Sequence, residues 1–339
     1  TEIEGDVIIN GFDITNLNGL SVLTSIMGEL KIMNNDALNS LTGLDNLASV
    51  GNYLAIHNNG TLNSLSGLDN VTSVVNLEIG YNDALTNLMG LNNVTAIEGN
   101  LVIRYNGTLS NLTGLNNVTS IGDSLLGYHL IEHNYALTSL TGLNNLTFIG
   151  GSIYFERNDA LASMTGLDNL TFIGGSLCMS SNSSLNNLEG LENLTFIGEN
   201  LTIGSNLALI SLTGLDNLTS IGGSLIIGNN DTLTDLTGLD NLTSIGSFLQ
   251  IKENNALQSL SGIDNINAGS ITHLSIFNNS SLSFCNVQAV CDYLVAPNGS
   301  VQIHSNDVDC NNPPEIANAC GITLPCLPFG SYYFMSQSD

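Results

Sequence analysis

The amino-acid sequence predicts an all-β protein, a right-handed β-solenoid of about eleven 24-residue coils that ends in a cysteine-containing cap with a short helix. Eleven glycines mark the period, and successive members lie 24 residues apart except for one step of 23 and one of 28. A fixed spacing of this length is typical of solenoids, in which each repeat forms one coil. The glycines are Gly19, Gly43, Gly67, Gly90, Gly114, Gly142, Gly166, Gly190, Gly214, Gly238 and Gly262.

Within each repeat, apolar residues recur at steps of two and three, which do not maintain a helical stripe. Thr, Ile, Val, Asn and Gly dominate, and this composition favours short strands joined by tight turns. The clearest strand has the pattern L-x-I-x-x-N, for example Leu201, Ile203 and Asn206. Because side chains alternate along a strand, we expect the Leu and Ile to point inward. We expect the buried Asn to bond the backbone of the neighbouring coil.

The composition changes near residue 280, because all five prolines and five of the six cysteines follow it. We therefore predict a repeat solenoid over residues 1–279 and a disulfide-containing cap over residues 280–326. Residues 327–339 are predicted to be a linker into a following module. The segment "NVQAVCDYLV" places apolar residues on one helical face, and it predicts the short helix of the cap.

Four cysteines of the cap, at positions 285, 291, 310 and 320, are expected to form two disulfides. Four cysteines allow three connectivities, and the sequence does not choose among them. We favour Cys285 with Cys310 and Cys291 with Cys320. We expect Cys326 to pair with a cysteine of the following module. Clustered cysteines are typical of an oxidising, extracellular setting, which predicts a secreted or cell-surface protein.

The charge balance limits the possible partners. The chain has four basic and thirty acidic residues, and its net charge is −26. This charge repels nucleic acids and anionic membrane surfaces, so we expect neither as a partner. The chain also lacks an apolar run of eighteen or more residues, so we expect no direct membrane insertion.

We expect no enzymatic activity and no cofactor, because near-identical coils do not bring unlike reactive residues together in a cleft. The stretch from His129 to His133 resembles a metal-binding pair, but on a strand the two histidines would lie roughly 13 Å apart. One column of acidic residues is interpreted as solvent-exposed turn residues, and the alternative is that the column binds calcium weakly. It contains Asp45, Asp69, Asp168, Glu192, Asp216, Asp240 and Asp264.

The middle coils depart from the repeat at outward positions of the strand, where the other coils have Gly, Asn or Ser. Aromatic and Arg side chains are the usual anchors of binding surfaces, and repeat proteins commonly bind through a sheet face. We therefore predict a partner-binding face, with neutral drift of a duplicated surface as the alternative. Its residues are Tyr81, Arg104, Tyr105, Tyr128, His133, Tyr154, Glu156 and Arg157. Cys178 occupies an outward position in the following coil, either as an intermolecular contact or as a chance substitution.

The repeat resembles the leucine-rich-repeat-like coils of receptor L domains. The resemblance rests on the pattern L-x-x-L-x-G-L-x-x-L-x-x-I-x-G-x-L-x-I-x-x-N and on the opening "TEIEGDVII". The repeat segment "LTSLTGLDNLTSIGG" and the C-terminal segment "FCNVQAVCDYL…CGITLPCLPFGSYYF" are similar to sequences of giant secreted surface proteins of Bacteroidota.

This resemblance implies a non-enzymatic structural or adhesive module, exported by the type IX pathway, within a larger cell-surface appendage. Its partners would be other modules, copies of itself, or glycans and proteins on a target surface. The alternative is a receptor-like domain that recognises one glycan or protein. The bacterial O-glycosylation pattern of Asp, then Ser or Thr, then an apolar residue marks Ser124 and Thr232 as possible modification sites.

Overall fold

The computed structural model describes residues 1–122 and 127–325, and it is a parallel β-solenoid of about twelve turns. The strands are β1 (Glu2–Ile3), β2 (Val7–Ile9), β3 (Ser25–Ile26), β4 (Leu30–Met33), β5 (Ser49–His57), β6 (Ser73–Gly80), β7 (Ala96–Ile97), β8 (Leu101–Arg104), β9 (Ser120–Ile121), β10 (Tyr128–Glu132), β11 (Phe148–Ile149), β12 (Ser152–Glu156), β13 (Phe172–Ile173), β14 (Leu177–Ser180), β15 (Phe196–Ile197), β16 (Leu201–Gly204), β17 (Ser220–Ile221), β18 (Leu225–Gly228), β19 (Ser244–Ile245), β20 (Phe248–Lys252), β21 (His273–Phe277) and β22 (Val301–His304). Two short 3-10 turns cover Asn18–Leu20 and Ala268–Ser270. The helices are α1 (Gln288–Val295) and α2 (Pro313–Cys320).

The strands form two parallel ladders that share the long strands β5 and β6. The main ladder contains the L-x-I strands and runs from β2 through β4, β5, β6, β8 and β10 to β22. The second ladder contains the two-residue strands and runs from β1 to β19. Equivalent residues face each other in register, as Ile203 faces Ile227. The predicted all-β solenoid is therefore confirmed.

Stacking in register turns each apolar position of the repeat into a continuous buried column. Leu225, Ile227, Leu236, Leu239 and Ile245 of one coil are all almost fully buried, and they belong to one hydrophobic core together with their equivalents in the neighbouring coils. Removal of this apolar surface from water is the main driving force for coil stacking.

A column of asparagines runs through the solenoid beside the apolar columns. Asn158 is typical: its Oδ1 accepts the backbone N–H of Asn134 at 3.2 Å, and its Nδ2 donates to the carbonyl of Ile131 at 2.8 Å. Its own N–H donates to Oδ1 of Asn182 at 3.0 Å. The predicted role of this residue is confirmed, because each buried amide bonds the backbone of the preceding coil. The fully buried members are Asn35, Asn59, Asn82, Asn106, Asn134, Asn158, Asn182, Asn206, Asn230, Asn254 and Asn279.

The repeated glycine is required by a close approach between coils. Gly114 has φ +122°, and a Cβ built on it would lie 2.0 Å from the carbonyl oxygen of Leu88 in the preceding coil. A side chain at this corner would separate the coils, so the period predicted from glycine is a steric requirement of stacking.

Between residue 280 and residue 325 the structure has two helices, whereas the sequence predicted one. The predicted helix is α1, and its buried residues include Val290 and Leu294. The second helix, α2, starts with Pro313 and Pro314, which were not recognised as a helix start. Asn312 caps it by accepting the N–H of Glu315 at 3.0 Å, and proline is favourable in a first helical turn because no N–H partner is needed there.

The favoured disulfide pairing is confirmed by Cys285–Cys310 and Cys291–Cys320. The second bond joins α1 to α2. The main ladder also continues past residue 279. Strand β22 lies in the segment predicted as the cap, and it pairs with β21 of the repeat solenoid. This added strand accounts for about one coil more than the glycines indicate. The predicted linker, Cys326 and Ser124 lie outside the described residues.

Replacement of a buried asparagine should destabilise the protein far more than replacement of an exposed one. Asn158→Ala leaves the N–H of Asn134 and the carbonyl of Ile131 buried without their partners, at a cost of about 2–6 kcal/mol. The matched control is Asn255→Ala, which removes only exposed bonds, including one to Asp231, and should cost less than about 0.5 kcal/mol. Urea unfolding of both variants measures the difference, and equal midpoints would contradict the structural role of the column.

Candidate functional site

The outer face of the main ladder positions most of the predicted partner-binding residues. Each strand of the main ladder from β4 to β21 is followed by a residue with left-handed backbone, whose N–H donates to a carbonyl of the next coil, as Tyr81 donates to Arg104 at 3.1 Å. Asn tolerates this backbone best among residues with a side chain, and Asn58 and Asn229 occupy the position elsewhere. The middle coils instead carry Tyr81, Tyr105, His133 and Arg157, with φ between 52° and 58°.

These four residues form a continuous stack, which we call the aromatic ladder. The ring centroids of Tyr81 and Tyr105 are 4.7 Å apart, and those of Tyr105 and His133 are 4.3 Å apart with nearly parallel planes. Arg157 Nη1 lies 3.2 Å from His133 Nε2. Because the ring faces contact each other, the aromatic ladder presents mainly ring edges and polar groups to a partner.

The other predicted residues lie beside the aromatic ladder in separate contacts. Tyr128 and Tyr154 pack together with centroids 4.8 Å apart. Glu156 lies within 3.9 Å of the Cys178 sulfur. The side chain of Arg104 extends toward the preceding coil and donates to the carboxylate of Glu78. The structure thus divides the eight predicted residues among four neighbouring contacts on one face.

Sequence reasoning missed a partly buried ion cluster centred on Glu78 in β6. One oxygen of its carboxylate accepts Arg104 Nη2 at 2.7 Å and lies 3.4 Å from His57 Nε2, while the other accepts the Tyr53 hydroxyl. Burial alone would raise the pKa of Glu78, but hydrogen bonds from His57, Tyr53 and Arg104 outweigh it and hold the pKa at about 2. The signal available in the sequence was the presence of Tyr53, His57 and Glu78 at outward positions of β5 and β6.

These side chains line two grooves on the outer face of the main ladder. The ion cluster forms one side of a groove of about 380 Å³, which we call the charged groove. Its lining residues are Glu29, Lys31, Met33, Tyr53, Ala55, His57, Asn58, Glu78 and Arg104. A smaller groove of about 240 Å³ runs along the aromatic ladder, where Asp83, Gly107 and Tyr135 complete the lining. Of these two grooves, the charged groove is the one whose volume lies within the roughly 300–1,000 Å³ of typical small-ligand sites.

The two histidines of the "HLIEH" stretch have unrelated environments. His129 is fully buried, its Nδ1 accepts the N–H of Leu101 at 3.2 Å, and burial lowers its pKa to about 4. His133 belongs to the aromatic ladder. Within residues 1–122 and 127–325, no group of three or more His, Cys, Asp or Glu is arranged to hold a metal ion.

The acidic column has a local structural role in the turns. Asp216 accepts the backbone N–H of Gly214 at 2.9 Å, and Asp45 accepts that of Gly43 at 2.7 Å. Each carboxylate thereby satisfies the donor of a residue whose backbone is tightly constrained. Among the predicted modification sites, Thr232 is exposed, and its hydroxyl donates to the carbonyls of Leu207 and Leu209.

Cys178 lies at an outward position of β14, as expected, but its thiol is largely shielded. Burial, together with the Glu156 carboxylate, raises the pKa of the thiol to about 11. A thiol with a raised pKa forms little thiolate, which is the reactive species in disulfide exchange. This environment is unfavourable for the intermolecular contact that was considered for Cys178.

A family comparison supports the receptor L domain part of the resemblance stated above. The receptor L domain family model matches residues 70–169, less than a third of the chain, and this segment contains the whole aromatic ladder. The crystal structure of a TLR13–ssRNA13 complex is similar at 16% identity with a TM-score of 0.21. The match covers 86% of this chain and 62% of that chain. No curated protein matches the sequence. Neither helix in the described part of the chain has the length and apolarity needed to cross a membrane.

We predict that Cys178 reacts slowly with alkylating reagents in the folded protein. At pH 8, a thiol with a pKa of about 11 contains on the order of a hundredfold less thiolate than an ordinary cysteine. Peptide-resolved mass spectrometry after iodoacetamide treatment should therefore show much slower modification of Cys178 in the folded than in the urea-unfolded chain. Glu156→Gln should speed the folded-state reaction in part, and equal rates in both states would refute the shielding.

Proposed function

We propose that this chain is a non-enzymatic extracellular module that binds through the outer face of its main ladder, as one segment of a larger adhesive cell-surface structure. The observation that carries the proposal is the aromatic ladder, in which Tyr, His and Arg occupy, in four consecutive coils, the position that is Asn or Ser in most other coils. Two disulfides and the matched receptor L domain segment support the extracellular part.

The size of the side chains in the aromatic ladder argues for a role in recognition. The left-handed backbone penalty applies to any residue with a Cβ, and the small Ser181, Ser205 and Asn229 complete the same turn in other coils. Coil stacking therefore does not require the larger side chains. Exposed Tyr and Arg side chains held in fixed positions are common anchors of protein and glycan interfaces.

Stacked coils suit such a module mechanically. Each coil bonds its neighbours through two strand ladders and one buried asparagine, so the array is an extended scaffold rather than a flexible chain. This scaffold supports a role as one element of a cell-surface appendage, as the resemblance to secreted surface proteins of Bacteroidota implies. Partners would be copies of the chain, other modules, or glycans and proteins of a target.

The second candidate function is a receptor-like domain that recognises one glycan or protein. The charged groove favours this alternative, because its volume is that of a small-ligand site and its central carboxylate is held by three neighbours. An adhesive module and a receptor-like domain share the same face, and they differ in whether binding is multivalent along the coils or confined to one groove.

The aromatic face should be needed for adhesion or assembly and not for folding. We expect the triple variant Tyr105→Ser, Tyr154→Ser, Arg157→Ser to reduce adhesion of particles coated with the protein, or its assembly, by about tenfold or more. Serine already occupies the left-handed position of Tyr105 and Arg157 in other coils, and Tyr154 lies at an outward strand position where a later coil has the small Thr202, so circular dichroism and the thermal midpoint should change little.

A matched control changes the same face in the C-terminal coils, with Thr202→Ser, Gln250→Ser and Glu253→Ser together. Glu253 occupies the position equivalent to Arg157, and Gln250 lies in the column of Tyr154. This control should retain adhesion and assembly. Unchanged adhesion and assembly in the first variant would contradict the proposal.

A further inference from the structure

The smaller groove opens where one coil of the solenoid lacks a side chain. Asp83, Gly107 and Tyr135 each follow the buried asparagine of their coil, so they form one column across three neighbouring coils. Coils stack about 4.8 Å apart, which places Asp83 and Tyr135 roughly 10 Å apart across Gly107. A Cβ at Gly107 would lie 3.1 Å from Asp83 Oδ1. The groove is thus a gap about one side chain wide between a carboxylate and a tyrosine.

The carboxylate of Asp83 has no cation to neutralise it. In the described part of the chain it forms no ion pair, and its one hydrogen bond is a long contact of 3.3 Å from a backbone N–H. The charged groove differs, because Lys31 is paired there with Glu29 and Arg104 with Glu78. Asp83 therefore has acceptor capacity and charge available to a ligand.

Aromatic side chains form the other walls of the smaller groove. Tyr81 and Tyr105 stack face to face, so they contribute ring edges and hydroxyl groups. Tyr135 stands perpendicular to His133 at a centroid distance of 6.0 Å, and it is 50% exposed. Because Arg157 can only donate, the His133 nitrogen that it contacts must accept, which makes this imidazole neutral. The lining therefore carries one formal charge, and that charge is negative.

Two guanidinium groups of the chain lie near the smaller groove, and they leave its surroundings negative. Arg104 is already paired, and Arg157 contacts the imidazole of the aromatic ladder. Burial raises the pKa of Tyr105, and the Glu132 carboxylate raises it further, by more than Arg157 lowers it. The Tyr105 hydroxyl therefore lies in a negative potential, in a chain whose net charge is −26. This field attracts a cation and repels a second copy of the chain.

A guanidinium matches this lining better than an ammonium. It is planar, it stacks on aromatic rings, and it donates two parallel hydrogen bonds to one carboxylate. The chain itself contains such a contact, because the guanidinium carbon of Arg104 lies 5.9 Å from the ring centre of Tyr81. Arginine is also among the commonest anchor residues of protein interfaces.

The size of the smaller groove and the composition of the chain indicate where the guanidinium comes from. At about 240 Å³ the groove is smaller than typical small-molecule sites, which favours one anchoring side chain of a larger surface. The chain has two arginines, Arg104 and Arg157, and both are already engaged on this same face. A second copy therefore offers no unengaged arginine, and the side chain must belong to another protein.

We propose that the smaller groove binds the guanidinium of an arginine side chain from a partner protein, with Asp83 accepting its N–H groups and Tyr135 lying beside its planar face. This inference rests on the proposed function and deepens it, because it names a protein as the partner and arginine as its anchor. Gly107 provides the space and Asp83 the charge, and neither residue is changed in the aromatic triple variant.

A matched pair of probes tests the proposal: acetyl-arginine amide, and acetyl-citrulline amide, which has nearly the same shape without the charge. The backbone amides of Gly107 and Tyr135 report the site in a ¹⁵N NMR spectrum, and Gly60, which occupies the same column in an earlier coil, is the reference. We expect the arginine amide to shift the signals of Gly107 and Tyr135 and not that of Gly60. The citrulline amide should bind about tenfold or more weakly.

Two variants and one control connect the signal to the groove. Asp83→Asn and Gly107→Ala should each weaken binding of the arginine amide by about tenfold or more, the first by removing the charge and the second by filling the gap. Other coils carry side chains at the position of Gly107, so both variants should keep the thermal midpoint. Asp36→Asn is the matched control and should leave binding unchanged. Asp36 lies in the same column beside Gly60, but the corner residues there are asparagines instead of tyrosines.

A second measurement distinguishes a partner protein from a small guanidinium compound. Particles coated with the protein should adhere to a surface that carries a short peptide with one arginine, and adhere much less when citrulline replaces that arginine. The proposal is overturned if the two amides bind equally, if Asp83→Asn leaves binding unchanged, or if acetyl-lysine amide binds more tightly than the arginine amide. Binding of the arginine amide without adhesion to the arginine peptide would overturn the assignment to a protein partner.

Failure of this inference is distinguishable from failure of the proposed function. If the arginine amide does not bind while the aromatic triple variant loses adhesion, the inference is wrong and the proposed function stands. Intact adhesion and assembly in that triple variant would contradict the proposed function, whatever the arginine amide does.

Discussion

The buried asparagine column is the interaction on which the rest of the structure depends. A coil of 24 residues has tight corners, and a corner that turns inside a protein leaves backbone groups without partners. One asparagine per coil satisfies a backbone donor and a backbone acceptor of the preceding coil at once, for example Asn206 with Asn182 and Met179. Because every bond joins neighbouring coils, the column also aligns the apolar residues that supply most of the stabilisation.

Alignment at the corner determines what the outer face can display. The residue immediately before each asparagine has a left-handed backbone, and its side chain lies directly above the equivalent one in the next coil. Large planar side chains at this position therefore stack, as Tyr81, Tyr105 and His133 do. In coils with Ser205 or Asn229 the same position presents only small polar groups. The scaffold thus stays uniform while the surface differs between the N-terminal and C-terminal halves.

The sequence was sufficient to predict the features that repeat. From the second coil onward, glycine at the corner and asparagine at the strand end recur in the repeat, so their spacing is visible without coordinates. The same regularity concealed the local role of Asp216 and its equivalents, which bond the turn and were assigned to solvated turns or weak calcium binding.

Features that occur once were harder to predict. The Glu78 cluster depends on how Arg104 crosses the space above Gly80, and sequence spacing does not indicate the direction of a long side chain. The helix α2 was missed because adjacent prolines usually interrupt helices, whereas Asn312 makes them acceptable in the first turn.

Residue-resolved hydrogen exchange tests the central role of the asparagine column most directly. The backbone amides of Asn134, Asn158 and Asn182 are bonded to side-chain oxygens of the next coil, whereas a corner amide without such a bond would be open to water. We predict that these amides exchange as slowly as the central strand amides of Ile203 and Ile227. Exchange at the rate of exposed turns, with the strands still protected, would contradict the account.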